Sequence, residues 1–358
     1  MSAPTSIAIN GFGRIGRLSF RIWLESYFEQ LDLVAINTSG SMKTSDWAHL
    51  AKYDTAYGTL KTPLQVEDLK DPQKATDQDP LIGYITVKDK KIPVLAQRDP
   101  KKLPWNKYKP DVVLECTGAF RTEDKAKQHL EAGAKFVVVS APSKGGNLPT
   151  SVIGVNQDQI KLSSHGSSMI NNASCTTNCI APVAAVMHSK LEVKKAMLTT
   201  VHGYTESQNI QDGSHKDLRR ARAAAQNIVP TSTGAANATT ETIPELKGLF
   251  DGLALRVPVI TGSITDFTFV TKKTTSVEEV NQIFIDASKH PLYKGILAVT
   301  RQPLVSSDII GRPESAIVDL GMTRVVDGDL IKILAWYDNE WGYANRLVEQ
   351  AVKVSDNN

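Results

Sequence analysis

Hydrophobic residues keep two different rhythms along this chain. Up to about Asn172, short unbroken apolar runs alternate with stretches of helical spacing; beyond it, longer runs follow one another with few helices between. Ser6-Ile7-Ala8-Ile9-Asn10 reads as a buried strand. Ile15, Leu18, Phe20, Ile22 and Trp23 then fall on or near one stripe of a helix, and Leu33-Val34-Ala35-Ile36 is a second strand. Asp111 to Glu115 and Lys135 to Ser140 are further buried strands, separated by a helix from Glu123 to Glu131 that Thr122 caps and Gly133 stops. Between these units Ile82 to Leu95 alternates like a hairpin, and the acidic stretch from Glu67 to Pro80 reads as an exposed loop. Apolar strands alternating with helices predict an α/β fold with a doubly wound parallel sheet.

In the second half, Ala196 to His202, Ser263 to Thr271, Ser315 to Leu320 and Leu330 to Tyr337 read as strands of a mixed or antiparallel sheet, an α+β domain. Trp341 to Val352 reads as a terminal helix. The expected division is a first domain over residues 1–173, with the helix of residues 340–358 packing back on it, and a second domain over residues 174–339. No internal repeat or low-complexity linker interrupts the chain.

The first strand runs straight into Gly11-Phe12-Gly13-Arg14-Ile15-Gly16. A G-x-G-x-x-G between a strand and a helix, with a second strand beyond, is a dinucleotide signal: the glycines allow a tight turn and close approach of a pyrophosphate to the helix N-terminus. Ligands of such sheets bind at the C-terminal strand ends, where Thr117 and Ser140 lie.

Ser174-Cys175-Thr176-Thr177-Asn178-Cys179 precedes an apolar run that reads as a buried helix. At a helix start a cysteine meets the positive end of the helix dipole, which favours the nucleophilic thiolate. The hydroxyls and N–H groups there also suit an anion. Taken alone, the hexapeptide equally fits a small buried cysteine. A thiolate needs a base, and His202 ends an apolar strand; His49, His129, His165, His188, His215 and His290 have weaker contexts. Arg256, in Leu255-Arg256-Val257-Pro258, either pairs with a hidden carboxylate or meets an anionic ligand. Pro230-Thr231-Ser232-Thr233-Gly234 is a hydroxyl-rich turn before an Ala-rich helix.

Composition narrows the field. The 358 residues fit two domains, and 41% hydrophobic with 22% charged content is that of a globular protein. A net charge of +3 carries no bulk argument for nucleic acid, and the basic run His215 to Arg222 is short and lacks interleaved aromatics. No apolar run is long enough to cross a membrane, and Met1 to Thr5 carries no signal-peptide pattern. The three cysteines form neither a disulfide framework nor a metal set, so no metal and a reduced, cytoplasmic setting are expected.

These residues together resemble phosphorylating glyceraldehyde-3-phosphate dehydrogenases over nearly the whole chain. The marks are Ile9 to Arg17, Lys52-Tyr53-Asp54-Thr55, Ser140-Ala141-Pro142-Ser143, the cysteine hexapeptide, Pro230 to Ala236 and Trp336-Tyr337-Asp338-Asn339-Glu340. The resemblance implies Cys175 as nucleophile and His202 as its base. It implies Ser174, Thr176, Thr233 and Gly234 for inorganic phosphate, and Thr205 and Arg256 for the phosphate of glyceraldehyde 3-phosphate. An arginine among Arg219, Arg220 and Arg222 also belongs to that site, with Arg220 favoured. Gly11, Gly13, Arg14, Ile15 and Gly16 would hold the cofactor pyrophosphate. Arg98, Thr117 and Ser140 would line its groove, and Asn339 would meet the nicotinamide carboxamide. Cys179 would be a structural neighbour, and a homotetramer is implied.

Two positions depart from the NAD-using pattern. After the second strand, where an Asp usually accepts the ribose hydroxyls, this chain has Thr38 followed by Ser39. The loop holding Asp212 continues Gly213-Ser214, similar to photosynthetic members that accept NADP. Removal of a carboxylate and the presence of Thr38, Ser39 and Ser214 point to use of NADP as well as NAD. Two other readings are an erythrose-4-phosphate dehydrogenase, which needs no inorganic phosphate, and a non-catalytic RNA-binding member of the scaffold.

Overall fold

The computed structural model describes residues 4–145, 147–160 and 168–356; His165 lies outside the described residues. The chain divides into two compact units. Unit 1 is residues 1–151, 158–172 and 344–358, and unit 2 is residues 152–157 and 173–343.

In unit 1, β1 (Thr5–Asn10) leads into α1 (Arg14–Ile22), which continues as a π-helical turn over Trp23–Tyr27. β2 (Leu31–Thr38) and α2 (Thr44–Lys52) follow, then a two-stranded ribbon of β3 (Tyr53–Asp54) and β4 (Gly58–Thr59). β5 (Gln65–Asp68), β6 (Leu81–Val87) and β7 (Lys90–Ala96) come next, then α3 (Trp105–Tyr108), β8 (Val112–Glu115), α4 (Glu123–Glu131), β9 (Phe136–Val139) and β10 (Met169–Asn171). The sheet order is β10-β9-β8-β1-β2-β7-β6-β5. From β10 to β7 every pairing is parallel; β6 and β5 are added antiparallel. The chain runs outward from β1 to β2, then returns to β8 on the other side. Ligands of doubly wound sheets bind beyond the strand ends at that reversal.

β6 and β7 form the expected hairpin. Its two turn residues, Lys88 and Asp89, have φ of +46° and +63°, the left-handed pair that matches strand twist. The exposed loop expected over Glu67 to Pro80 needs correction. Gln65–Asp68 is an edge strand on β6, and all four of its residues are exposed, so no alternation marked it.

Unit 2 opens with α5 (Cys175–Leu191), followed by β11 (Val193–Gly203), β12 (Val229–Ser232), α6 (Ala235–Thr242), β13 (Phe250–Val257) and β14 (Ser263–Thr271). α7 (Val277–Lys289), β15 (Leu297–Thr300), β16 (Ala316–Asp319), β17 (Arg324–Val326) and β18 (Leu330–Tyr337) complete the sheet, and α8 (Trp341–Asp356) ends the chain. The sheet order is β12-β13-β11-β14-β18-β16-β15, with β17 on β18. It is mixed: β11 pairs parallel with β13 and antiparallel with β14. Phe267, Phe269, Ile331 and Ile333 on one sheet face pack with Ile180, Val183 and Met187 of α5 and Phe284 of α7 into the unit's core. Burial on nearly every side of α5 fixes it against the sheet, and so fixes where its N-terminus points.

Candidate active site

Three glycines shape the turn between β1 and α1. Gly11 has φ +94°, and a Cβ there would sit 2.7 Å from the Thr117 backbone nitrogen. A Cβ on Gly16 would meet the Gly11 carbonyl oxygen at 2.0 Å, so only glycine lets α1 close on the turn. Over Gly13 nothing lies within 4 Å of an added Cβ, so the backbone is open to close approach. No side chain caps the helix start at Arg14, and a phosphate is a fitting cap for the N–H groups of such a turn. These residues fit a dinucleotide.

The Arg14 guanidinium is tied down elsewhere. It pairs through Nη1 and Nη2 with the two oxygens of Asp54 and lies over the Tyr57 ring. Any contact of Arg14 and Ile15 with a pyrophosphate would therefore fall to their backbone. Thr38 needs a similar correction. It is buried at the end of β2 and donates its hydroxyl to the Leu95 carbonyl at 2.9 Å, so that hydroxyl belongs to the sheet. Ser39 is exposed, with its Oγ 2.9 Å from Ser41 Oγ, and the exposed Arg98 donates Nε to the Ser39 carbonyl at 3.1 Å. Ser214 is exposed in unit 2 and its carbonyl accepts from Asn209 Nδ2 at 3.4 Å.

Beneath the glycine turn lies a polar network that sequence reading missed. Asn10 and Glu115 are partners in the parallel register of β1 and β8, and Asn10 Nδ2 donates to Glu115 Oε2. Glu115 Oε1 accepts from both the N–H (2.8 Å) and the hydroxyl of Thr117. His129 Nε2 lies 3.0 Å from Glu115 Oε2, and Trp105 Nε1 donates to His129 Nδ1 at 3.1 Å. An indole only donates, so Nδ1 accepts and Nε2 carries the proton given to Glu115. His129 is thus a satisfied core histidine that helps hold Thr117 against the turn. Ser140, at the end of β9, donates its N–H to the Glu115 carbonyl at 2.9 Å.

In unit 2, Ser174 is the N-cap of α5: its Oγ accepts from Thr177 N at 3.0 Å. Cys175 is therefore the first helical residue, and it keeps some exposure to solvent. His202 lies near the end of β11, where the parallel register sets it beside Arg256 of β13. His202 Nε2 is 3.4 Å from Cys175 Sγ. On the other side of the ring, Nδ1 is 2.7 Å from the Gly203 carbonyl and 2.9 Å from Arg256 Nη1.

A neutral imidazole can use Nδ1 in only one of these ways at a time. If Nδ1–H donates to Gly203, Nε2 is bare and faces sulfur as a base. If Arg256 donates to Nδ1, Nε2–H faces sulfur as a donor. Burial, and then the Arg256 charge, push the His202 pKa down to about 3, so the imidazole is neutral at ordinary pH. Burial also raises the Cys175 thiol above its usual range; Arg256, the Thr176 hydroxyl and the N–H groups of Thr176 and Cys175 pull it back only in part. Burial thus works against the thiolate that the helix start favours. Arg256 is the positive charge that opposes this cost.

Arg256 has no carboxylate partner among the described residues, and its Nε is buried without a bond. Its Nη1 reaches Gly203 O at 3.2 Å and Thr205 Oγ1 at 3.5 Å. Arg220 donates Nε and Nη2 to Thr231 Oγ1 at 3.0 and 2.7 Å, near enough to Arg256 to disfavour its charge. Arg219 is exposed, and Arg222 is paired with Asp212 at 2.7 Å, so Arg220 is the member of that run placed beside Arg256. A half-buried guanidinium without a carboxylate, with a second one nearby, would suit an anion. Thr233 Oγ1 accepts from Ala235 N at 3.2 Å, and Gly234 starts α6 with open space where a Cβ would be.

Three more residues complete the picture. Tyr337, the last residue of β18, is 1% exposed, with its ring edge toward His202. Its hydroxyl lies 2.9 Å from both Thr176 Oγ1 and Thr200 Oγ1, so the Thr176 side chain turns toward the sheet. Asn339 Oδ1 accepts from Ser263 Oγ at 2.8 Å and Thr261 Oγ1 at 3.2 Å, which leaves its amide nitrogen to donate outward. Cys179 is fully buried with its thiol raised by burial, a structural residue.

Comparison with known proteins places the chain in a family. A model described as glyceraldehyde 3-phosphate dehydrogenase, NAD binding domain, matches residues 5–123, and one described as the C-terminal domain matches residues 174–339. Glyceraldehyde-3-phosphate dehydrogenase 2 of Streptomyces arenae is 47% identical over 348 residues, 97% of this chain and 98% of the relative. Glyceraldehyde-3-phosphate dehydrogenase of Streptomyces coelicolor is 47% identical over 350 residues, 98% of each chain. Glyceraldehyde-3-phosphate dehydrogenase 2 of Trichormus variabilis is 47% identical over 351 residues, again 98% of each. With both family models matched and its relatives aligned from end to end, the chain belongs to the glyceraldehyde-3-phosphate dehydrogenase family.

Proposed function

We propose that this chain oxidises glyceraldehyde 3-phosphate to an acyl phosphate, with Cys175 as nucleophile and His202 as its acid–base partner. The observation that carries the reading is the 3.4 Å contact of Cys175 Sγ with His202 Nε2 beside an arginine that has no carboxylate. Arg256, Thr205 and Arg220 hold the substrate phosphate, which is the missing anion. The thiolate adds to the aldehyde carbon, and the Cys175 N–H steadies the oxygen as charge builds on it. His202 Nε2, with Nδ1–H held by Gly203, takes the Cys175 thiol proton, passes it to that oxygen, and takes it back as the carbon is oxidised. The bound nicotinamide supplies the hydride acceptor for that step.

Cys175 then carries a thioester. Ser174, Thr176, Thr233 and Gly234 bring inorganic phosphate to it, Thr176 through its first-turn N–H. The phosphate oxygen bonds to the acyl carbon, the C–S bond breaks, and Cys175 leaves as the thiolate that starts the next turn. Dependence of steady turnover on inorganic phosphate tests this reading against direct hydrolysis. Full turnover without phosphate, or a preference for erythrose 4-phosphate over glyceraldehyde 3-phosphate, overturns it.

The cofactor reading rests on an absence and three exposed groups. No carboxylate follows β2 to repel a 2′-phosphate, and the Ser39 and Ser41 hydroxyls and the Arg98 guanidinium are exposed where one would sit. NADP is therefore accepted beside NAD, with Ser39 rather than Thr38 as the donor, and Ser214 as a second. Asn339 donates its amide N–H to the nicotinamide carboxamide. Comparison of kcat/KM for the two cofactors tests this; a large NAD advantage refutes it. The three unpaired cysteines suit a reducing compartment such as the cytoplasm, and no helix among the described residues is long and apolar enough to cross a membrane.

The working form is a homotetramer. The face of the unit 2 sheet away from its helices carries Met197 (60% exposed), Leu253 (43% exposed) and the half-buried Val201 and Leu255, and the neighbouring Ile210 is 86% exposed. A second copy covers such a face.

A further inference from the structure

Behind Cys175 the unit 2 sheet holds a row of hydroxyls that the roles above leave unused. Thr265 Oγ1 donates to Thr200 Oγ1 at 3.3 Å, and Thr200 Oγ1 is 2.9 Å from Tyr337 OH. Tyr337 OH is 2.9 Å from Thr176 Oγ1, which is 3.9 Å from Cys175 Sγ. Thr265 and Thr200 have no exposed surface, Tyr337 is 1% exposed and Thr176 5% exposed, so the row is closed to bulk solvent. The four hydroxyls come from β14, β11, β18 and α5, brought into line by register rather than by any sequence motif.

We infer that Thr265, Thr200, Tyr337 and Thr176 form a hydrogen-bond relay that stabilises the Cys175 thiolate, with Tyr337 as a positioning residue acting through Thr176. The inference rests on the reading of Cys175 as the nucleophile. Each hydroxyl owns one proton and can point it either way along the row. Pointing away from sulfur, the row ends on the Ile264 carbonyl, which Thr200 Oγ1 reaches at 3.4 Å. Pointing toward sulfur, Thr265 donates to Thr200, Thr200 to Tyr337, Tyr337 to Thr176, and Thr176 to Sγ. A thiolate only accepts, so ionisation selects the second direction. The sulfur's proton leaves through His202 Nε2, and the rest is rotation of O–H bonds with no heavy atom moved. Each bond in such a chain polarises the next.

The other groups facing Cys175 are His202 from β11, Arg256 from β13 and Cys179 one turn along α5. Arg256 opposes the cost of burying a thiolate, whereas the buried Cys179 adds no positive charge. Burial, with Cys175 and Cys179 close by, also raises the Tyr337 phenol, so it keeps the proton the relay needs.

The test is the rate of alkylation of Cys175 by iodoacetamide as pH is varied, read by peptide mapping, in wild type, Tyr337→Phe and Thr200→Val. Thermal melts establish that each variant is folded. Thr200→Val is the sharper probe, because Thr200 touches neither Cys175 nor the proposed substrate site. Both variants should move the midpoint to higher pH, with the rate constant at pH 7 lowered about three- to tenfold and the high-pH plateau unchanged. A change in packing alone would alter the plateau instead. Profiles of both variants that superimpose on wild type overturn the relay while leaving Cys175 as nucleophile. If mapping finds wild-type alkylation elsewhere and Cys175→Ser turns over normally, the nucleophile reading fails and the relay with it.

Discussion

At His202 two neighbours compete for one nitrogen, and that competition has a thermodynamic consequence. Its folded pKa lies near 3, below the ordinary 6.5, through burial and Arg256. Below about pH 6.5 the unfolded chain binds a proton that the folded chain refuses, so stability falls as pH drops toward 3. His202→Gln removes this penalty. Urea midpoints should show the variant gaining on wild type between pH 7 and pH 5; a constant difference contradicts the buried neutral imidazole. Cys175 and His202 were legible as candidates in the sequence because each sits at an element end that a short motif marks. Tyr337, Glu115 and His129 were not, since their roles depend on strands that meet only through register. Thr38 was misjudged for a related reason: a sequence shows that a hydroxyl is present but not that a neighbouring strand has taken it.

Among the elements, α5 carries the largest share of the site. Ser174 caps it, Cys175 begins it, and burial on nearly all sides fixes its direction. Ser174→Ala should cost about 1 kcal/mol from the lost cap, seen as a lower melting temperature with cofactor titration unchanged. An unaltered melting temperature contradicts the capping role. Helices and buried strands could be read closely because burial imposed a period: the helix expected over Glu123 to Glu131 is α4 to the residue. The strand Gln65–Asp68 escaped notice because an edge strand exposed along its length leaves no hydrophobic trace.

For the whole molecule, the apolar outer face of the unit 2 sheet is the feature that a single chain leaves unresolved. Met197→Glu places a charge in the middle of that face and should shift sedimentation toward smaller species, with the fold of the chain retained. Wild-type sedimentation as a monomer, or no shift in the variant, contradicts the assembly proposed here. Composition and periodicity say nothing about an oligomer. An exposed Met or Leu on an alternating strand looks the same whether it faces solvent or a second copy.

The central claim is that oxidation passes through an acyl group on one sulfur. Protein mixed with glyceraldehyde 3-phosphate and oxidised cofactor, without inorganic phosphate, should accumulate an acyl adduct that peptide mass spectrometry places on Cys175. Addition of phosphate should discharge it as acyl phosphate. Cofactor reduction with no adduct, or an adduct on Cys116 or Cys179, would contradict the account.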